Sequence, residues 1–172
     1  MIHLQKYHSP LGMLLLASDQ EGLVGCWFED QQYYAAGIKD QPSQEVSDPI
    51  LQAAVEWLDQ YFAGKHPDTD TVSLTAHVTE FRQRVLQALQ AVGEGQTISY
   101  RELAAQVVGQ ANANRYARAV AGAVGHNPLS LFIPCHRVVG SDGALTGYAG
   151  DAGGLWRKEA LLKFEQQSQP RD

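Results

Sequence analysis

Near residue 78 the hydrophobic period of the chain changes, and that change limits the fold more than any other feature of the sequence. Before it, short β-type runs are cut by turn formers: "IHLQKYH", the turn "SPLG", "MLLLAS", the turn "DQEG", then "LVGCWFE". After it, apolar residues recur at helical spacing. Phe81, Val85, Leu89 and Val92 share one face and Gly93 ends the run. The acidic bias of the chain ends near the same point, so the 172 residues are expected to form two domains, 1–77 and 78–172. The expected class is α+β: a small strand-rich N-terminal α/β domain, then a mostly helical domain. The first domain holds one clear helix, with Asp48 as cap, Pro49 in the first turn, Leu51, Val55, Leu58 and Phe62 on one side and Gly64 as the stop. Residues 31–47 read as polar and irregular, and "KHPDTDTVS" (65–73) reads as a linker.

Charge follows the same division. Residues 1–80 carry a net −9, residues 81–140 a net +4 and residues 141–172 a net −1, within a total of −6. All six basic residues of the middle segment are arginines: Arg82, Arg84, Arg101, Arg115, Arg118 and Arg137. Arginine suits phosphate and groove contacts. No basic-then-apolar leader opens the chain, and no apolar run nears the roughly 20 residues of a membrane span. The two cysteines, Cys26 and Cys135, match no zinc spacing, so free thiols in a reducing cytoplasm are expected.

The middle segment holds two further helices. "SYRE" offers a capping box, Ser99 with Glu102, for a helix over about Tyr100–Val108 that ends at Gly109. After "QANAN" a second helix is expected over about Arg115–Val124. Together they form a helix-turn-helix pattern with a long joint. The second helix sets Val120 and Val124 on one side, with Arg118, Ala121, Gly122 and Gly125 on the other. Glycine inside a helix costs about 1 kcal/mol relative to alanine. Either the glycines allow tight helix–helix packing, or they leave a smooth face that approaches a phosphate chain and projects Arg118 alone.

"FIPCHRVVG", residues 132–140, carries the chemistry. A thiolate is the nucleophile of a cysteine, and a histidine is its usual activator. Adjacent residues in an extended run point to opposite sides, so Cys135 and His136 would need a bridging water or a bend at Pro134. The far nitrogen of His136 needs a carboxylate to set its tautomer. Glu159 is the preferred candidate, with Asp142 and Asp151 as loop alternatives. The plainer reading makes Cys135 a small buried hydrophobe and His136 a structural histidine. Cys26, in "LVGCWF", is read as a core cysteine.

In order, "SYRELA", "YARAVAGAVGHNP", "IPCHRVVG" and "GALTGYAG…GGLWRKEALLKFE" closely resemble the O6-alkylguanine-DNA alkyltransferases, the methylated-DNA–protein-cysteine methyltransferases. The resemblance is strong over 80–165 and looser before it. It implies an RNase H-like N-terminal domain and transfer of an alkyl group from O6 of guanine in duplex DNA to Cys135, once per molecule, after minor-groove binding and base flipping. It leaves O4-alkylthymine open as a substrate. It implies a glutamate–histidine–water–cysteine relay through Glu159 and His136. Arg118 would fill the gap left by the extruded nucleotide, on a helix face with Ala119 and Gly122, and Arg115 would join the DNA contacts. Tyr100 would help rotate the nucleotide and contact the base, and Asn127 would join the recognition helix to the active-site segment. Val138, Tyr148 and Ala149 would line the base pocket. No metal or cofactor and a monomeric state are implied. The chain departs from the family in two places: "GYAGDAGGL" is longer near the base-covering loop, and "QVVGQANANRY" is longer between the paired helices. Rival readings are a lesion-binding protein without transfer, a turning-over cysteine hydrolase, and a structural protein.

Overall fold

The computed structural model describes residues 1–140, 142–143 and 154–168. The chain falls into two compact units: Met1–His77 with Pro128–Phe132, and Val78–Asn127 with the chain from Ile133 onward.

In the first unit, β1 (Ile2–Ser9), β2 (Gly12–Ser18), β3 (Leu23–Phe28) and β4 (Ser43–Glu45) form one sheet in the order β3-β2-β1-β4. β1 and β2 are antiparallel, from His3 opposite Ser18 to Ser9 opposite Gly12. β2 and β3 are antiparallel too, and β4 runs parallel to β1. β3 is buried along its whole length, while β1 is partly exposed and β4 fully so. Successive side chains point to opposite faces. Leu15, Ala17, Val24 and Trp27 meet Ala35 and Ile38 from the segment read as merely irregular. The helix α1 (Pro49–Phe62) packs against β1, β2 and β3 and buries Leu51, Ala54, Trp57, Leu58 and Tyr61. Each such large apolar side chain stabilises the fold by about 1.5–3 kcal/mol. Asp48 caps α1 by accepting from the Leu51 amide at 2.8 Å. Gly25 has no substitute, because a Cβ there would fall 1.9 Å from the Trp27 ring.

Two readings of the sequence change. The segment 65–73 is not all linker: Leu23 N donates to Ser73 O at 2.7 Å and Thr75 N to Leu23 O at 2.9 Å, which extends the pairing of β3. Residues Pro128–Phe132, expected in the second domain, pack in the first. Cys26 N donates to Pro128 O at 2.8 Å, Ser130 N donates to Cys26 O at 3.1 Å, and the Phe132 ring lies 4.4 Å from that of Trp57. An open β3 edge takes up these backbone groups.

The second unit contains α2 (Glu80–Gln90), β5 (Ile98–Ser99), α3 (Tyr100–Val108), α4 (Ala117–Gly125), β6 (Val138–Val139) and α5 (Leu155–Gln167). Thr79 caps α2, and Ser99 and Glu102 form both bonds of the capping box on α3. Gly109 ends α3 with φ +87°, where a side chain would be strained. A 3-10 turn over Gln110–Asn112 takes up part of the long joint to α4. β5 and β6 pair in parallel, Ile98 with Val138 and Ser99 with Val139. This short ladder ties the start of α3 to the residues just after the cysteine motif.

Candidate active site

The cysteine motif is not extended. Pro134 has φ −82° and ψ 66°, the geometry of an inverse γ-turn, and the Cys135 amide donates to Ile133 O across it at 2.8 Å. Cys135–Arg137 then form a single 3-10 turn, closed by Arg137 N donating to Pro134 O at 3.0 Å. The bend that the adjacent Cys135 and His136 require is therefore present, and it begins at Pro134.

Cys135 is buried at 4% exposure. Burial pushes its thiol pKa up, while a hydrogen bond from Asn127 and the charge of Lys158 work the other way. Asn127 Nδ2 also donates to Ile133 O at 2.8 Å, so one side chain holds the γ-turn and touches the thiol. His136 is fully buried, and its Nε2 lies 2.7 Å from Glu165 Oε2. With the carboxylate accepting, Nε2 carries the hydrogen and Nδ1, also buried, is the basic nitrogen. Burial holds the imidazole pKa below its ordinary value against the pull of Glu165, and the charges of Arg137 and Lys158 lower it further. Burial opposes the charge of Glu165, but His136 and Arg137 outweigh it and hold the carboxyl well below the usual carboxylate range.

The carboxylate that meets His136 is therefore Glu165, not Glu159. Glu159 lies on the solvent side of α5, with its side chain 55% exposed and paired to Lys163 at 3.1 Å. The buried face of α5 runs through Arg157, Lys158, Leu161 and Glu165, and Glu159 falls off it by helical geometry. Asp142 sits exposed in a turn, and Asp151 lies outside the described residues. Tyr148 and Ala149 lie outside them as well.

Two site residues escaped the sequence reading besides Glu165. Lys158 is fully buried, with Nζ 5.8 Å from the centroid of the Tyr100 ring. Arg137, counted from the sequence among basic groups suited to phosphate, is buried and bonded to Glu165 instead. The spacing of Arg157, Lys158, Leu161 and Glu165 was the signal for Lys158 and Glu165, since it sets charged residues on the inward face of α5; Arg137 lies in the cysteine turn and had no such signal.

Tyr100 opens α3 beside the β5–β6 ladder, and Val138 is fully buried in that ladder. On α4, Val120, Ala123 and Val124 face inward, while Arg118, Ala119 and Ala121 are exposed. A Cβ at Gly122 or Gly125 would meet nothing within 4 Å, so internal packing does not demand either glycine. That removes the packing explanation and leaves a smooth outer face. Arg115 is exposed, its guanidinium 5.7 Å from the Tyr116 ring centroid. Among the described residues no group of three or more His, Cys, Asp or Glu is placed to hold a metal ion, and no helix is long and apolar enough to cross a membrane.

The site therefore sets a buried thiol one residue from a histidine–carboxylate pair, in the unit that also carries the Arg118 helix. Comparison with known proteins points the same way. The family description "6-O-methylguanine DNA methyltransferase, DNA binding domain" matches residues 80–167, and "6-O-methylguanine DNA methyltransferase, ribonuclease-like domain" matches residues 2–76. The methylated-DNA–protein-cysteine methyltransferase of Mycobacterium bovis is 41% identical over 175 residues, covering 100% of this chain and 97% of that protein. The protein of the same name from Haemophilus influenzae is 38% identical, covering 93% of this chain and 84% of its own length. The crystal structure of Mycobacterium tuberculosis OGT in complex with DNA superposes with a TM-score of 0.80 at 37% identity, covering 98% of this chain and 95% of that one.

Proposed function

Because the chain belongs to the methylated-DNA–protein-cysteine methyltransferase family, we propose that it repairs DNA by taking an alkyl group from O6 of guanine onto Cys135. The observation that carries this reading is the His136–Glu165 pair set one residue from a buried thiol.

In this mechanism the Cys135 proton passes through a water to His136 Nδ1, while Glu165 accepts from Nε2 and stabilises the imidazolium. The thiolate then attacks the alkyl carbon. The S–C bond forms as the C–O6 bond breaks, the electron pair goes to O6, and the displaced proton ends on guanine N1. The product is a thioether, which leaves no thiol to react again, so each molecule acts once. The electrophile is the alkyl carbon itself, so the transfer draws on no metal or cofactor.

The modified base lies inside a duplex and is brought to the buried sulfur by flipping, which costs a few kcal/mol. The outer face of α4, with Ala119, Gly122 and Arg118, fits a minor groove about 6 Å wide. Arg118 enters the space the nucleotide leaves. Arg115 adds a backbone contact, and Tyr100 and Val138 meet the base, with Asn127 fixing the thiol's turn. Tyr148 and Ala149 are proposed to line the rest of the pocket. The protein works as a monomer, and its two cysteines, neither of them in a disulfide, suit the reducing cytoplasm.

The test is intact-protein mass spectrometry after incubation with a duplex carrying one O6-methylguanine, followed by peptide mapping. A gain of one CH2 on the Cys135 peptide, stopping at one per molecule, is expected. No gain from folded protein that still binds the duplex would make it a lesion sensor. Repeated turnover on an ester or amide would make it a hydrolase.

A further inference from the structure

Arg137 is 7% exposed, and its hydrogen-bond partners among the described residues are Glu165 and Val92. Its Nε donates to Glu165 Oε1 at 2.8 Å and its Nη2 to Glu165 Oε2 at 2.9 Å. This is the two-pronged carboxylate grip that a guanidinium makes and an ammonium cannot. Its Nη1 donates to Val92 O at 2.6 Å, just past the end of α2. The grip matters because Oε2 is shared: it also faces His136 Nε2 at 2.7 Å.

We propose, building on the alkyl-transfer reading above, that Arg137 is a positioning residue of the relay. By holding both oxygens of Glu165 and the carbonyl of Val92, it aims the carboxylate at His136 and keeps the imidazole neutral until the thiol proton arrives. A buried glutamate facing only a histidine would favour an imidazolium–carboxylate pair. An imidazolium cannot accept the thiol proton. Among the described residues, the charged and titratable groups at His136 are Glu165 and Lys158 from α5 and Cys135 and Arg137 from its own turn, with Tyr100 of α3 beside Lys158. Two cations then stand against one anion, which disfavours a third positive charge. Arg137 supplies one of those cations and the geometry of the anion.

The experiment compares wild type with Arg137→Lys, Arg137→Gln and the double variant Arg137→Gln/Glu165→Gln. The rate of transfer from a free O6-alkylguanine base is followed against pH on protein shown to be folded, with 15N NMR of the imidazole. Arg137→Gln is expected to move the acid limb of the rate profile to higher pH, with a loss on the order of 10²-fold at neutral pH. Arg137→Lys keeps the charge and loses the fork, so it should be slower with the acid limb close to wild type. The double variant leaves no buried carboxylate without its cation, so it tests the idea if Arg137→Gln does not fold. Its acid limb should lie below that of wild type, and its Nε2–H tautomer should no longer dominate. A folded Arg137→Lys with the wild-type rate, or a folded Arg137→Gln with the wild-type acid limb, would overturn the proposal. If wild type itself transfers nothing, the alkyl-transfer reading fails instead. The NMR series then still decides whether Arg137 sets the charge and tautomer of His136.

Discussion

The two cysteines are both buried, Cys26 fully and Cys135 at 4% exposure, yet they sit in opposite kinds of surroundings. Cys26 lies in β3, opposite Leu16, in a strand whose six apolar or small residues are all buried. Cys135 lies on a turn with Asn127, His136, Lys158, Arg137 and Glu165 gathered around it. Burial raises the pKa of a thiol and makes it inert. What separates a reactive buried cysteine from a packing one is the set of charged groups brought into the interior with it. Such groups are costly to bury, and two of them are kept by specific partners: Glu165 by Arg137 and His136, and Arg137 by Glu165 and Val92 O.

The sharpest way to break this contrast is to remove each sulfur in turn. Cys135→Ala should abolish transfer to the protein and retain duplex binding, while Cys26→Ala should still take up one alkyl group. Mass spectrometry of both variants, with a duplex-binding assay, checks this. Equal loss of binding and transfer in Cys135→Ala would remove the purely nucleophilic role. Next in size, Arg118→Ala should slow repair of a duplex on the order of tenfold or more and leave the free-base reaction nearly intact. Paired single-turnover rates on the two substrates decide it, and an equal fall in both would move Arg118 out of the DNA interface.

Gly122→Leu should weaken duplex binding by filling the smooth face of α4. It should not destabilise the fold, since a Cβ there meets nothing within 4 Å and the helix gains about 0.5–1 kcal/mol on losing a glycine. A salt titration of binding and a thermal melt test the two halves. The smallest effect concerns acid. A folded-state His136 pKa below its unfolded value means that the unfolded chain binds the proton first, so stability falls as pH drops below about 6.5. Glu165, also lowered, adds a second loss only below the ordinary carboxylate value of about 4.3. Between pH 7 and 5, amide protection factors should therefore fall more in the Cys135–Arg137 turn and α5 than in β2. An equal fall in both would argue against a neutral buried His136.

Much of this was legible in the sequence. The capping box at Ser99 and Glu102, the caps at Asp48 and Thr79 and the first three strands follow local rules that the structure obeys. Cys135 and His136 could be singled out because they stand side by side in the sequence, and the structure sets both in one buried turn. Less accessible was what depends on packing. β4 is three exposed polar residues, with no alternation to announce a strand. Pro128–Phe132 joins the first unit only because β3 has an edge to offer, which no local pattern records. Glu165 was misjudged in favour of Glu159 because both lie on one helix, and only the direction of its buried face tells them apart. Arg137 read as a charge for phosphate contacts, and Lys158 drew no reading, for a related reason: a long cationic side chain is usually solvated, and only burial shows otherwise.

The most direct test of the relay compares single-turnover transfer by Glu165→Gln and Glu159→Gln with the wild type, using an O6-methylguanine duplex at neutral pH. Glu165→Gln should lose on the order of 10²-fold or more, because His136 loses the carboxylate that sets its tautomer and stabilises its charge. Glu159→Gln should match the wild type, since its carboxylate only meets Lys163 at the surface. A wild-type rate in folded Glu165→Gln, or a comparable loss in Glu159→Gln, would contradict the account.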